Sequence, residues 1–320
     1  MAKNPYSRSQ VRKHYYLDEY VVIAPKRENR PFTVRKSSGQ DAVSVKQKNL
    51  PIENEKSLFE IKDRNGDWLV KVVKNKYPAL STASRQAYGH QEIVLETSHE
   101  GTPFYDLPIK QIELVLNAYQ NRALELRRDP KVNYVSIFKN HGIEAGASMA
   151  HTHSQIIATQ IIPPGIENEE KVFTKLKQQF GASPLGAALE WEREQQLRII
   201  QANWYDTALA PYASQRPLEV WLIPNRYFSS ITDATANEIH DFAVLLKGIT
   251  GAIGSKNLSF NFFLHEKIDS RANHFMIQIT PRPNIWAGFE LSTKGSLVIN
   301  PVSPERAASW YRSYLDRHAG

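Results

Sequence analysis

Hydrophobic and polar positions follow two periods along the chain. Short β-prone runs bounded by turn residues predict strands at Tyr20–Pro25, Trp68–Val73, Gly89–Glu96 and Tyr134–Asn140, and again in the apolar run that begins at His151. Between the third and fourth of these, Ile109, Ile112, Leu116, Tyr119, Ala123 and Leu126 recur at spacings of three and four, which predicts a long helix over 108–128. The same order then returns. Arg216–Pro224 reads as a strand, 232–250 as a helix, Phe260–His265 as a strand and His274–Pro281 as a strand. This is an internal repeat, in which His151, His153 and Gln155 fall on His274, Met276 and Gln278. Residues 167–203 carry helical periodicity and many charges, and read as the crossover between the halves. Residues 1–17 read as a polar, basic arm and 33–57 as a loop or disordered segment. The expectation is an α+β protein of two halves, 1–190 and 191–320, the last helix starting near Pro304 and Glu305.

Composition narrows this picture. A chain of 320 residues suits one large domain or two modest ones. The formal charge of +7 is scattered rather than concentrated in one run, which suits a solvated basic surface or attraction of anionic substrates. No RNA-binding motif accompanies it, so nucleic acid is not the expected partner. The absence of cysteine excludes disulfides and thiolate-bound metals. No apolar run reaches the ~18 residues of a membrane span, and Met1–Pro5 lacks an apolar signal core, so a cytoplasmic protein is expected.

The stretch Asn140–Pro163 carries the chemistry. In a strand, side chains at i, i+2 and i+4 share a face, so His151, His153 and Gln155 would converge on one site. Gly142, Gly146 and Ser148 lie just upstream; glycines there admit a ligand close to the backbone, and successive N–H groups in such a turn form an anion nest. An imidazole beside a phosphate nest suggests attack on phosphorus through a phospho-histidine. A lone His-x-His pair equally suits a surface strand or a structural metal site; the glycine-rich approach, Ser148 and Gln155 favour phosphate chemistry.

Gly-x-Ser-x-x-His-x-His-x-Gln followed by a strand resembles the active-site motif of the galactose-1-phosphate uridylyltransferase branch of the histidine-triad superfamily. That resemblance implies two histidine-triad-like repeats, each an antiparallel sheet with a long helix, forming one pseudo-symmetric unit. It implies that His153 is the nucleophile, that Gln155 holds phosphate oxygens, and that Ser148 and the backbone near Gly146 bind the leaving phosphate. His151 packs beside or orients the nucleophile, and a backbone carbonyl holds the far ring N–H of His153. Hydrolase branches carry a third histidine where Gln155 stands, which favours transfer over hydrolysis. Thr152 departs from the proline usual in uridylyltransferases.

Other positions follow from the same resemblance. Arg27 and Arg30 become phosphate clamps, Asn75 a base or ribose contact or simply a turn cap, Asn140 and Gln278 site residues, and Glu290 a contact to hexose hydroxyls. A first metal site would use His99 and His151, but its Cys-x-x-Cys half is missing. A second, for iron or zinc, would use Glu169, His265 and His274, with Met276 where a histidine is expected. No cofactor is therefore required by this reading. The implied partners are a nucleotide sugar and a sugar 1-phosphate, with a homodimer as the common assembly. The activities left open are transfer between sugar 1-phosphates, phosphorolysis of a nucleoside diphosphate sugar or dinucleoside polyphosphate, and nucleotide binding without turnover.

Overall fold

Among the described residues ten strands form one sheet whose order is mirrored about its middle. The structure, a computed structural model, describes residues 8–29, 52–267, 274–283, 288–295 and 297–318. In chain order its elements are β1 (Gln10–Lys13), β2 (Tyr20–Ile23), β3 (Ser57–Lys62), β4 (Trp68–Lys74), β5 (Gly89–Leu95), α1 (Ile109–Leu126), β6 (Tyr134–His141), β7 (His153–Thr159), α2 (Pro164–Phe180), α3 (Pro184–Gln195), β8 (Ile199–Ala202), β9 (Asp206–Leu209), β10 (Val220–Pro224), α4 (Ala236–Gly254), β11 (Phe260–Lys267), β12 (Ile277–Pro281), α5 (Gly288–Ser292), β13 (Leu297–Asn300) and α6 (Pro304–His318). The large sheet runs β3-β4-β5-β7-β6-β11-β12-β10-β9-β8, and β1-β2-β13 form a small second sheet.

The repeat seen in the sequence is the repeat of the fold. β5, α1, β6 and β7 correspond to β10, α4, β11 and β12, and the antiparallel ladder between β6 and β11 is the seam. One transverse row reads Gln155, Phe138, Phe263, Gln278 and crosses that seam symmetrically. Cross-strand partners share a face, so both glutamines lie on one side of the sheet, about 14 Å apart at three strand spacings. The opposite side is apolar. Val115 and Tyr119 of α1 and Phe242 and Leu246 of α4 bury it together with Val135, Ile137, Ile156 and Phe262 as one core common to both halves. Gln120 of α1 donates to the carbonyls of Ile231 and Ala234 across the halves.

Residue 190 falls inside α3, and the two halves share a sheet and a core rather than meeting at a linker. The crossover is helical only to Gln195. Gly181 and Gln196 in left-handed conformation close α2 and α3, and the chain then re-enters the sheet as the β8–β9 hairpin. The N-terminal arm is docked where described: Arg12 pairs with Glu305, and the Tyr15 hydroxyl accepts from Tyr212 N–H while donating to Glu192. No helix among the described residues is long and apolar enough to cross a membrane.

Candidate active site

His153 opens β7, buried, at the edge of a cavity of about 460 Å³. The cavity is bounded by 101–103, Lys139–Ile143 and Ala147–Thr152. The ring Nδ1 of His153 stands 2.8 Å from the carbonyl oxygen of His151. Since a carbonyl only accepts, Nδ1 carries the proton and donates, and Nε2 keeps its lone pair. Burial, reinforced by the nearby Lys139 ammonium, holds the imidazole below its usual value of 6.5, although the His151 carbonyl opposes the shift. The ring is thus neutral at neutral pH, the form that can attack.

Behind the nucleophile, on the helix-covered face, lies a closed polar cluster. The Lys139 ammonium donates to Glu96 Oε2 at 2.5 Å, Thr152 Oγ1 at 3.0 Å and the His153 carbonyl at 2.9 Å. Thr152 Oγ1 donates to Glu96 Oε2 at 2.8 Å, and the Ser154 hydroxyl bonds both Glu96 Oε1 and the Tyr119 hydroxyl. All three ammonium protons are used, and the His153 backbone is pinned from below. Thr152, the departure from the uridylyltransferase motif, has a hydroxyl that proline could not supply to this cluster.

The alternation over 151–155 holds only from His153 onward. Pairing of β7 with β5 starts at Leu95–His153, so His151 precedes the strand. Its ring turns the other way: Nε2 lies 2.7 Å from the Thr97 carbonyl and Nδ1 2.6 Å from Glu53 Oε1, and Trp68 stacks on it. His151 therefore serves the site through its backbone carbonyl, not its imidazole. Gln155 shares the face of His153; its Oε1 accepts from Gln91 Nε2 at 3.3 Å, which leaves its own amide N–H groups to donate to a ligand.

The glycine turn also differs from a nest. Gly142 and Gly146 both have positive φ, 83° and 85°, as the turn requires. The N–H groups of Ala145, Gly146 and Ala147, however, are spent on carbonyls of Gly142 and Ile143 within the turn. Ser148, exposed and lining the cavity, offers a hydroxyl to an anion there. Asn140 also lines the cavity, and its Oδ1 accepts from Asn261 Nδ2 at 2.8 Å.

Other expected residues lie elsewhere. Arg27 is exposed on the turn after β2 and does not line the cavity; Arg30 lies outside the described residues. Asn75 closes its own turn, Oδ1 accepting from Tyr77 N–H at 2.9 Å. Gln278 donates to the buried Glu219 at 2.7 Å, in the second half. Glu290 is buried in α5 and acts electrostatically on Arg216, again in the second half.

Among the described residues neither expected metal set is assembled as a complete group of ligands, although Glu169, His274 and Met276 line one small cavity. His151 has both ring nitrogens engaged, and the exposed His99 ring makes, among the described residues, long contacts of 3.4 Å to the Thr97 and Ser98 hydroxyls. In the second half, Glu169 accepts from the Tyr16 hydroxyl at 2.7 Å, and His274 meets the Pro224 carbonyl at 3.2 Å and Ser183 Oγ at 3.0 Å. The carbonyl fixes Nε2 as donor, so Nδ1 accepts from Ser183 and no lone pair remains. Burial holds this imidazole down at about 4. Met276 packs against an apolar cluster that includes Phe173 and Trp221, and the side chain of His265 lies outside the described residues. Among the described residues no group of three His, Asp or Glu side chains is placed to hold a metal.

Sequence reasoning missed Glu53, Glu96 and Lys139. Glu53 stood in a polar stretch with no periodicity. Lys139 did carry a signal: it follows Val135 and Ile137 on the apolar side of the alternation, where an unpaired charge would be costly.

Comparison with known proteins agrees with this geometry. The family model for galactose-1-phosphate uridyl transferase, N-terminal domain, matches residues 60–163. An ADP-glucose phosphorylase of Arabidopsis thaliana is 28% identical, the alignment covering 95% of this chain and 92% of that one. A galactose-1-phosphate uridylyltransferase of Thermotoga maritima is 27% identical, over 95% and 98%. The crystal structure of an ADP-glucose phosphorylase from Arabidopsis thaliana with bound ADP-glucose superposes with a TM-score of 0.81 at 25% identity, covering 95% of this chain and 98% of that one. Motif, mirrored sheet and full-length likeness agree, and together they fit the galactose-1-phosphate uridylyltransferase-like branch of the histidine-triad superfamily, which the chain resembles along its length.

Proposed function

We propose that the protein is a nucleotidyltransferase working by double displacement on a nucleotide sugar. The neutral Nε2 of His153 attacks the α-phosphorus of a nucleoside diphosphate sugar. A P–N bond forms, the bond from that phosphorus to the bridging oxygen breaks, and its electron pair leaves with the sugar 1-phosphate. The ring becomes cationic as it bonds phosphorus, and its Nδ1–H bond to the His151 carbonyl strengthens. An oxygen of a second phosphate then attacks the same phosphorus, the P–N bond breaks, and the neutral imidazole returns. Ser148 and Gln155 offer donors to the phosphate oxygens. The scheme draws on no resident metal.

The observation that carries this reading is the orientation of His153, with Nδ1 tied to a carbonyl and Nε2 left as the free nitrogen beside a cavity. The acceptor has two candidates. A uridylyltransferase uses a sugar 1-phosphate and a phosphorylase uses inorganic phosphate; the full-length likeness to an ADP-glucose phosphorylase supports the second as strongly as the Thermotoga maritima enzyme supports the first. The test is product analysis with UDP-glucose or ADP-glucose as donor. Galactose 1-phosphate as acceptor would give the nucleoside diphosphate galactose, and inorganic phosphate would give the free nucleoside diphosphate. Turnover of neither donor with either acceptor would refute the proposal.

A further inference from the structure

The turn that shapes the cavity is held from the half that has no nucleophile. Asn261, on β11, donates through Nδ2 to the Ala145 carbonyl at 2.9 Å and to Asn140 Oδ1 at 2.8 Å. Its Oδ1 accepts from Arg282 Nε at 2.6 Å. That third bond sets the amide: with the oxygen taken by a guanidinium that can only donate, the nitrogen must face the turn. One residue before β11, the Ser259 hydroxyl donates to Glu144 in the same turn. Packing is close as well, since a Cβ on Gly142 would lie 2.2 Å from Ser259 Oγ. Asn261 and Ser259 are both buried. The turn therefore has anchors at Gly142, Glu144 and Ala145, all from the second half, and the same amide fixes Asn140 in the wall of the cavity.

We propose that Asn261 and Ser259 are positioning residues for the His153 pocket, supplied across the seam by the degenerate half. They hold the Gly142–Gly146 turn and Asn140 in register with the nucleophile, so that Ser148, which follows the turn, meets the phosphate as it transfers. Loss of the nucleophile position to Met276 did not make this half a spare; its strand became the frame of the other half's pocket. The inference rests on the reading that the pocket takes the transferred phosphate.

Asn261→Asp tests it. Aspartate keeps the size and the bond from Arg282, but sets a carboxylate against two acceptors. With UDP-glucose and ADP-glucose at saturation, the single-turnover rate of His153 nucleotidylation should fall about 10- to 100-fold, as misplacement by an ångström does. The Kd for UMP and AMP, measured alongside, should change little, and the rate should stay low at temperatures where the variant is fully folded. A residue that only braced the fold would lower the melting temperature and leave the saturated rate unchanged at 25 °C. Asn261→Ser, with one donor left, should recover part of the rate. If the aspartate variant does not fold, Ser259→Ala carries the test by removing one hydroxyl, and its rate should also drop. Folded variants that all react at the wild-type rate overturn the inference alone. A wild-type protein that forms no nucleotide adduct from either donor overturns the phosphate reading, and this inference with it.

Discussion

Replacing Lys139 by methionine probes the support beneath the nucleophile. Lys139 is 1% exposed and Glu96 0%, with 2.5 Å between ammonium and carboxylate. Methionine matches the length of lysine but removes the charge, so Glu96 stays in the core with hydroxyl partners only, and the His153 carbonyl loses its donor. An uncompensated buried charge costs about 3–5 kcal/mol, a large part of the ~5–15 kcal/mol that holds a typical domain folded. Urea unfolding followed by tryptophan fluorescence should show that loss. Glu96→Gln alone also leaves a buried charge, whereas Glu96→Gln with Lys139→Met leaves none. The double variant should therefore be more stable than the sum of the single effects by at least about 2 kcal/mol in a mutant cycle. A loss under about 1 kcal/mol for Lys139→Met, the range of an exposed pair, would refute the reasoning, as would a coupling near zero.

Three further outcomes follow from the same geometry. Gly142→Ala places a side chain at φ 83°, ψ 162° and 2.2 Å from Ser259 Oγ; this backbone region alone costs about 1–3 kcal/mol, so the variant should unfold at lower urea and react more slowly. The carboxylate oxygens of Asp206 are buried with no hydrogen-bond partner among the described residues, and burial, with Asp241 and Glu238 nearby, pushes this carboxyl up to about 9. The native state then keeps a proton that the unfolded chain releases near 3.8, so this group makes stability fall as pH rises between those values, by up to about 1.4 kcal/mol per unit; Asp206→Asn should remove that slope in unfolding experiments from pH 5 to 8. Because burial lowers His153 below 6.5, the midpoint at which adduct formation slows on acidification should lie below pH 6.5, and quenched-flow rates at pH 5–8 would show a midpoint at or above 6.5 if the reasoning is wrong.

Much of this architecture is written locally. Periods of two and of three to four specify α1, α4 and the strands around them, and the recurrence of one order along the chain is itself the signature of the repeat. The match of Gln155 with Gln278 became a symmetric row across the seam, because both strands keep their apolar alternation. What the sequence hid depends on distance along the chain. Glu53 meets His151 from 98 residues away, and Arg12 meets Glu305 from 293. Neither pairing leaves a periodic trace. The β8–β9 hairpin was hidden because its strands span only Ile199–Ala202 and Asp206–Leu209, too short to interrupt the charged helical pattern before them. His151 was misread because alternation gives the face of a residue only where the strand has begun, and here it begins two residues later.

The central claim concerns one bond, between Nε2 of His153 and phosphorus. Incubating the protein with UDP-glucose or ADP-glucose, without acceptor, and measuring intact mass should show a gain of one nucleoside monophosphate. That gain should be acid-labile, confined to the peptide containing His153, lost on addition of the acceptor, and absent from His153→Ala. Turnover without any such adduct, or an adduct that persists in His153→Ala, would contradict the account.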